Sequence, residues 1–312
     1  MIYTVTMNPA IDYVVQLAQE LTPGAINRST GEDYQFGGKG INVSNMLQRL
    51  GQETVALGFV AGATGTWLEQ GLADMGLSTR FFHLDRGMTR INVKVKAGEE
   101  TELNGMGPVI SEFDLERLYV QLDALNEHDV LVLSGSVPGC LKNDIYARIL
   151  ARLEKRKIRT VVDAAGELLT RTLPYRPFLI KPNDRELEDI FQKPMDTEAA
   201  LLEAARALQA MGARNVLVSL GGSGALLLAE TGSIYRCPAP QGQVINSVGA
   251  GDSMVAGFLA GFLDTGDYGA ALRIGIAAGS ATAFSLGLAD GTTVKELLSQ
   301  IPLPCVQTRC VL

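Results

Sequence analysis

Hydrophobic residues along this chain follow two alternating patterns. Short continuous apolar runs, typical of buried strands, alternate with stretches in which apolar side chains recur at helical spacing. Strands are predicted over 2–7, 54–61, 130–134, 160–163, 178–181 and 215–219, followed by a hairpin over 225–237. Helices are predicted over 40–50, 65–75, 112–125, 143–156, 196–211, 254–263 and 269–286, with a further short helix between 163 and 178. This rhythm favours the α/β class, with a mostly parallel central sheet flanked by helices.

Two stretches break the rhythm with short strands of alternating polarity. One covers residues 11–36 and the other about 80–106. The predicted strands within them lie at 11–17, 31–36, 81–84, 89–95 and 100–103. Together they predict one small β-sheet that acts as a lid on the main body.

Polar residues follow three successive predicted strands. Ser134 and Ser136 follow the first, Asp163 the second, and Lys181 and Asn183 the third. Parallel sheets bind their ligands at the carboxyl ends of the strands. We therefore expect a ligand site at this edge.

Composition limits the kinds of partner. The chain has 312 residues, 46% of them hydrophobic, which is enough for one large domain or two smaller ones. The net charge of −7 comes without a block of like charges, which argues against nucleic-acid or membrane binding. No apolar run reaches the roughly 18 residues of a membrane span. A small-molecule partner is expected.

Cysteines and histidines are few and scattered. Cys140, Cys237, Cys305 and Cys310 form no C-x-x-C pair, and the first residues lead directly into a strand, so a reducing cytoplasm is expected. His83 and His128 match no zinc motif and are expected to be structural or surface residues. Any metal is expected to be a hard cation held by oxygen atoms, most plausibly Mg²⁺.

A glycine-rich turn at 249–251 precedes Asp252 and an apolar helix. Glycines let backbone N–H groups surround an oxyanion, and a helix N-terminus carries partial positive charge. A carboxylate beside a bound phosphate suits a general base that takes a proton from the attacking hydroxyl. The structural alternative is a helix N-cap after a turn. The turn fits neither the P-loop nor the dinucleotide-binding motif.

A second glycine-rich helix start lies at 37–42, where Lys39 can meet a sugar hydroxyl or a phosphate. A tight turn with a surface lysine is the alternative. Arg90 and Asn92 on one predicted lid strand, with Arg28 on the earlier excursion, could form a cation cluster over a phosphate. A single arginine on a strand is more often simply solvated.

Two further segments allow both a structural and a functional interpretation. Asn183 and Glu186 have the spacing of a capping box, and their oxygens could equally hold Mg²⁺ or its waters. The segment 219–224 could be a hairpin turn or a nucleotide-binding loop.

Seven motifs in order resemble the PfkB/ribokinase family of carbohydrate kinases. They lie at 8–12, 37–42, 89–92, 134–138, 181–187, 219–222 and 248–253, within a match that runs from residue 6 to about 288. The Asn8-Pro9-Ala10 and Thr89-Arg90-Ile91-Asn92 segments are most similar to the branch containing 1-phosphofructokinase and tagatose-6-phosphate kinase. The turn at 103–108 departs from several relatives, which have Glu-Pro after the asparagine.

The resemblance implies a single ribokinase-like domain over residues 1–312 and a role for each matched residue. Asp252 is implied as general base, and the backbone of Gly249, Ala250 and Gly251 as the anion hole. The implied substrate-binding residues are Asp12, Arg28, Gly38, Lys39, Asn42, Arg90, Asn92 and Ser136, with Lys39, Arg28 and Arg90 near the phosphate that the substrate already carries. The implied ATP contacts are Lys181, Asn183, Ser219, Gly221, Gly222 and Gly224, and Glu186 is implied to hold Mg²⁺ with Asn183.

The implied function is an ATP-dependent phosphosugar kinase that converts fructose 1-phosphate to fructose 1,6-bisphosphate. Tagatose-6-phosphate kinase and 6-phosphofructokinase are the nearest alternatives, because a ketohexose phosphorylated at C1 or C6 has a similar outline when turned end for end. A silent sugar-phosphate sensor is the alternative outside enzymes. A homodimer formed through the lid is also expected, since exposed sheet edges tend to pair.

Overall fold

The computed structural model describes residues 1–307, so Cys310 lies outside the described residues. Its strands are β1 Ile2–Thr6, β2 Ala10–Leu17, β3 Ser29–Gly37, β4 Thr54–Ala61, β5 Thr79–Leu84, β6 Arg90–Ala97, β7 Glu99–Asn104, β8 Val130–Ser134, β9 Arg159–Asp163, β10 Leu179–Ile180, β11 Asn215–Ser219, β12 Ala225–Leu228, β13 Ile234–Cys237 and β14 Cys305–Gln307. Its helices are α1 Lys39–Arg49, α2 Gly62–Asp74, α3 Glu112–Leu122, α4 Ile145–Leu153, α5 Gly166–Thr170, α6 Asp184–Phe191, α7 Glu198–Ala210, α8 Ala250–Thr265, α9 Tyr268–Ala283 and α10 Gly291–Gln300.

The strands form two sheets. The central sheet has ten strands in the order β14-β13-β12-β11-β10-β9-β8-β1-β4-β5. The strands β11, β10, β9, β8, β1, β4 and β5 run parallel to one another. The remaining strands β12, β13 and β14 extend the sheet beyond β11 with antiparallel pairing. The second sheet has four strands in the order β3-β2-β6-β7. The predicted α/β class, with a mostly parallel central sheet and a small separate sheet, is confirmed.

One predicted lid strand belongs to the central sheet instead. The segment predicted as 81–84 forms β5, which pairs in parallel with β4. The reason is the intervening helix α2, which lets β4, α2 and β5 form a βαβ unit. Phe81 and Leu84 are buried against the main body as a result. The lid excursion predicted over 80–106 is therefore wrong in its first part, and the small sheet takes only β6 and β7 from it.

Helix α8 begins four residues before the predicted start at residue 254. Ala250 is its first residue and Gly249 its N-cap, with φ of 80°. A positive φ is readily adopted only by glycine, so Gly249 turns the chain into the helix. Asp252 consequently lies in the first helical turn. Helices α6 and α10 were not among the predicted helices.

Apolar side chains fill both faces of the central sheet. Helices α3, α4, α5, α6 and α7 contribute buried residues to one layer, and α1, α8, α9 and α10 contribute to the other. A smaller buried cluster joins Leu68 and Leu72 of α2 to Ile11 of the small sheet, with Phe36 packed against it. The small sheet is therefore anchored beside α1 and α2. Within residues 1–307, no helix has the length and apolar character needed to cross a bilayer.

Candidate active site

A buried carboxylate lies between two lysines at the carboxyl edge of the central sheet. Asp163, the last residue of β9, is fully buried; its Oδ1 lies 3.3 Å from Nζ of Lys181 and its Oδ2 3.6 Å from Nζ of Lys39. Burial alone would raise the pKa of Asp163, but the two ammonium groups outweigh burial and lower that pKa. The charge of Asp163 in turn raises the pKa of Lys39. Lys39 is thus held as a cation.

Asp252 is the second buried carboxylate of this edge. Its Oδ2 accepts a hydrogen bond of 2.8 Å from Nδ2 of Asn42. Burial, followed by the negative charge of Asp163, raises the pKa of Asp252 to about 6, although Lys39, Asn42 and Lys181 act in the opposite direction. A carboxyl with a pKa near 6 is ionised at neutral pH and basic enough to accept a proton in a reaction. The geometry therefore suits general-base chemistry.

The N-terminus of α8 presents backbone donors next to Asp252. Of the hydrogen bonds formed within residues 1–307, none uses the N–H of Gly249, Gly251 or Asp252. The N–H of Ala250 donates to the carbonyl oxygen of Ser247 at 3.2 Å, so it is engaged in the turn. A Cβ on Gly251 would lie 3.2 Å from Nζ of Lys181. Free N–H groups and an ammonium thus converge on the turn, as an anion requires.

Helix α1 starts directly beside this turn. Its N-cap, Gly38, has φ of 122°, and a Cβ there would meet Cγ2 of Thr6 at 2.6 Å. The hydroxyl of Thr6 accepts the N–H of Ile41 at 3.0 Å, which fixes the first turn of α1 on β1. Asn42 and Lys39 therefore project from a rigid helix start, one toward Asp252 and the other toward Asp163.

Asp12 and Asn92 meet on the small sheet. They are register partners on the parallel strands β2 and β6, and Nδ2 of Asn92 donates to Oδ1 of Asp12 at 2.7 Å. Asp12 also lines a small cleft together with Asn42. The residues lining this cleft are Asp12, Gln35, Phe36, Gly37, Asn42, Val248 and Leu288. The small sheet and helix α1 thus contribute polar groups to one opening.

Arg90 occupies the start of β6, half-buried. Its Nε donates to the carbonyl oxygen of Asn8 at 3.2 Å. Burial lowers the pKa of Arg90, and the charge of Asp12 opposes that shift. Arg90 is thus close enough to Asp12 to be influenced by its charge, and the roles of both residues in substrate binding stay predictions.

Two predicted substrate residues form no hydrogen bond or ion pair with this cluster in the described part of the chain. Arg28 is exposed in the loop between β2 and β3, and no hydrogen bond or ion pair within residues 1–307 joins it to Arg90 or Lys39. Ser136 is exposed in the loop after β8, one residue beyond Gly135, whose Cβ position lies 3.3 Å from Cβ of Lys39. Their roles in substrate binding stay predictions.

The nucleotide end was predicted from residues 181–186 and 219–224. Asn183 and Glu186 form a full capping box at α6, with Oδ1 of Asn183 accepting the N–H of Glu186 at 2.7 Å and Oε2 of Glu186 accepting the N–H of Asn183 at 2.9 Å. The structural alternative is thus present, and it uses one oxygen of Glu186. Backbone bridging between Asn183 and Ser219 brings the two segments together.

The glycines after Ser219 differ in their surroundings. Gly221 and Gly222 are exposed, and a Cβ on either would meet open space. Gly224 has φ of 87° and packs against the backbone of residues 237–239. Gly221 and Gly222 therefore leave room for a ligand, whereas the packing of the turn accounts for glycine at 224.

The sequence matches the profile of the pfkB family carbohydrate kinases over residues 5–294. The chain belongs to the PfkB family of carbohydrate kinases. A 1-phosphofructokinase of Bacillus subtilis (strain 168) is 42% identical over 301 residues, covering 96% of this chain and 98% of the relative. A D-tagatose-1-phosphate kinase of Bacillus licheniformis is 37% identical over 305 residues, covering 97% of this chain and 99% of the relative. The structure of phosphofructokinase-2 from Escherichia coli in complex with substrates and products superposes with a TM-score of 0.89 at 28% identity, covering 96% of this chain and 98% of that one.

As a member of the PfkB family, the chain is a carbohydrate kinase with a ribokinase-like fold.

The site also contains a charged residue, Asp163, to which the sequence alone assigned no role. Asp163 was identified only as a polar residue at a strand end, and its position between Lys39 and Lys181 depends on three separate segments of the chain. A charged residue at the end of a buried parallel strand was the signal available for it.

Proposed function

We propose that this PfkB kinase transfers the γ-phosphoryl group of ATP to the free primary hydroxyl of fructose 1-phosphate, giving fructose 1,6-bisphosphate and ADP. The observation that carries the proposal is the buried Asp252 at the N-terminus of α8, with the unengaged N–H groups of Gly249, Gly251 and Asp252 around it. The similarity to the Bacillus subtilis 1-phosphofructokinase supports the choice of sugar.

The proposed reaction is a single displacement at phosphorus. The sugar hydroxyl oxygen forms a bond to the γ-phosphorus, and the bond from that phosphorus to the β,γ-bridging oxygen breaks, so that ADP leaves. Asp252 takes the hydroxyl proton as the new bond forms. Asn42 holds Oδ2 of Asp252 during this step through the 2.8 Å hydrogen bond.

Charge neutralisation is assigned to the α8 turn and the two lysines. Negative charge that spreads over the transferring group is met by the N–H donors of Gly249 and Gly251 and by the ammonium of Lys181 beside them. Lys39, whose Nζ lies 3.6 Å from Oδ2 of Asp163, is proposed to contact the phosphosugar. Asp163 keeps both lysines in place while no phosphate is bound.

Mg²⁺ is proposed as the companion of ATP, held by Glu186 and Asn183. Residues 1–307 contain no cluster of three or more His, Cys, Asp or Glu that would hold an ion alone. Mg²⁺ in kinases typically uses one or two carboxylates together with substrate phosphates, so this donor set fits. When bound, the ion neutralises phosphate charge.

We propose that the chain forms one ribokinase-like domain in which the small sheet closes over the sugar. Tyr34 of the small sheet and Trp67 of α2, 48% and 40% exposed, lie against each other in a tilted arrangement with 4.9 Å between ring centroids. Exposed aromatics and the open edges of β3 and β7 support the proposal that two lids pair in a homodimer. Sedimentation velocity should give a dimer mass; a monomer at micromolar concentration would refute the pairing. The cytoplasmic location stays a prediction.

A coupled ADP-release assay tests the function. Purified protein is given ATP, Mg²⁺ and, in separate reactions, fructose 1-phosphate, tagatose 1-phosphate, tagatose 6-phosphate, fructose 6-phosphate and free sugars. The highest kcat/KM is expected with fructose 1-phosphate. A higher kcat/KM with tagatose 1-phosphate would favour the activity named for the Bacillus licheniformis relative, and no turnover on any sugar would favour a silent sensor.

A further inference from the structure

A buried lysine lies on the small sheet, next to the predicted sugar-binding carboxylate. Only 10% of the Lys94 side chain is exposed, although lysine is rarely buried without a partner. Its Nζ lies 3.6 Å from Oδ2 of Asp12 and 3.5 Å from Oε1 of Glu102. Sequence analysis assigned Lys94 no role.

The sheet register explains why these groups meet. Asp12 is the register partner of Asn92, which precedes Lys94 by two residues on β6, so Asn92 and Lys94 face the same side. Glu102 is directly opposite Lys94 on the antiparallel strand β7. Three strands of the small sheet thus build one charged row, from Glu102 through Lys94 to Asp12.

This row fixes both oxygens of Asp12. Asn92 donates to Oδ1 at 2.7 Å, and the Lys94 ammonium faces Oδ2. An ionised carboxylate has about four lone-pair positions, so two fixed partners still leave acceptor capacity. The remaining capacity faces the cleft that Asp12 shares with Asn42. Asp12 is thereby a pre-oriented acceptor for hydroxyl donors.

We infer that Lys94 is a positioning residue for sugar recognition: it holds Asp12 in the orientation that accepts hydroxyl groups of the phosphosugar, while Glu102 holds the ammonium from the other side. The inference rests on the proposed function, because it assumes that a sugar enters this cleft. Lys94 acts through Asp12 and touches no reacting atom. Its loss is therefore expected to weaken sugar binding and to leave the chemical step largely intact.

The test is a kinetic comparison of full-length variants. Lys94→Met removes the charge and keeps the length and apolar stem of the side chain. We expect the KM for fructose 1-phosphate to rise about 10-fold or more, the size of losing a hydrogen bond to a charged group. The kcat and the KM for ATP should stay within about threefold. Lys96→Met makes the same chemical change two residues along β6 at an exposed position and should leave all three constants unchanged.

A double-mutant cycle separates positioning from general damage to the sheet. Asp12→Asn alone should also raise the KM for the sugar, and adding Lys94→Met to it should raise the KM by less than about threefold more, because the shared partner is already gone. The inference would be overturned if the KM increases caused by Asp12→Asn and Lys94→Met simply multiply in the double variant. An unchanged KM in Lys94→Met would overturn it as well. If Lys94→Met does not fold, Lys94→Gln replaces it, with an expected KM increase of about threefold or more; an unchanged KM there counts equally against the inference.

Failure of the inference and failure of the proposed function give different results. If the wild-type enzyme is active and its KM for the sugar is the same in the Lys94 variants, the inference is overturned and the proposed function is not. A wild-type protein that turns over no phosphosugar overturns both. Where another phosphosugar proves to be the best substrate, the same variants are compared on that sugar, with the same expected ratios.

Discussion

Asn42 at the start of α1 donates a 2.8 Å hydrogen bond to Oδ2 of Asp252 at the start of α8, joining two helix N-termini that are 210 positions apart in the chain. The bond stabilises the ionised form of Asp252 and opposes the rise in its pKa caused by burial. The proposed substrate end and the proposed phosphate end are therefore connected through one side chain.

The first prediction concerns this bond. Asn42→Ala removes a hydrogen bond to a charged group, so the pKa of Asp252 should rise further above about 6, by roughly one unit. The measurement is kcat as a function of pH, in which the acidic limb should move upward. Gln48→Ala on the same helix removes an amide that donates to the carbonyl oxygen of Gly76, away from Asp252, and it should leave the limb in place. An acidic limb that does not move in Asn42→Ala contradicts this role.

The second prediction concerns stability and pH. The folded-state pKa of Asp252 is raised, so its contribution to stability is fully present below about pH 4 and is lost as pH rises through about 6. Asp252→Asn removes this loss and should increase the free energy of unfolding by roughly 1–3 kcal/mol at pH 8, with little difference near pH 4. Denaturant unfolding at both pH values measures it. An Asp252→Asn variant that is less stable than wild type at pH 8 would show that burial of the ionised Asp252 does not destabilise the folded protein.

The third prediction concerns the substrate's own phosphate. Arg90→Ala should raise the KM for fructose 1-phosphate about 10-fold or more, because a charge-assisted contact is lost, while the KM for ATP stays unchanged. Arg86→Ala, at an exposed position in the turn before β6, is the matched control. An unchanged sugar KM in Arg90→Ala would remove this arginine from the phosphate site and leave it with its bond to Asn8.

The fourth prediction concerns the start of α1. Gly38→Ala combines a positive φ of 122° with a contact of 2.6 Å to Thr6, so it should reduce the free energy of unfolding by about 2 kcal/mol or more. Gly51→Ala has a comparable φ of 86° and open space around the new methyl group, so it should lose only about 1 kcal/mol. Equal losses in the two variants would show that the contact with Thr6 is relieved by a small shift.

Much of this fold could be predicted from the sequence because its signals are local. The buried parallel strands such as β4 and β8 are continuous apolar runs, and the predicted bounds of both agree with the structure. The strand β5 was placed in the wrong sheet because an edge strand that is buried only at Phe81 and Leu84 has a sequence pattern that fits either sheet. The start of α8 was placed late because residues 250–253 combine glycine, aspartate and serine, which suit a turn as well as a first helical turn.

The sequence indicated the glycine-rich helix starts of the candidate site, but it did not indicate which charged side chains form ion pairs there. Glycine turns at 37–40 and 249–251 identified two helix starts from sequence alone. The ion pairs of Asp163 with Lys39 and Lys181, and of Lys94 with Asp12, depend on strand order and register across distant segments. Spacing along one segment carries no information about such contacts. The engagement of the Ala250 N–H with Ser247 was likewise visible only in the folded turn.

The most direct test of the account is the kcat of Asp252→Asn with saturating ATP, Mg²⁺ and fructose 1-phosphate. Losing a general base is expected to lower kcat by ~10² or more while the KM for the sugar changes little, since the site that binds it is intact. Asp264→Asn, at the exposed end of the same helix, serves as the control and should keep wild-type turnover. A kcat near that of wild type in Asp252→Asn would contradict the central claim that this carboxylate takes the proton from the attacking hydroxyl.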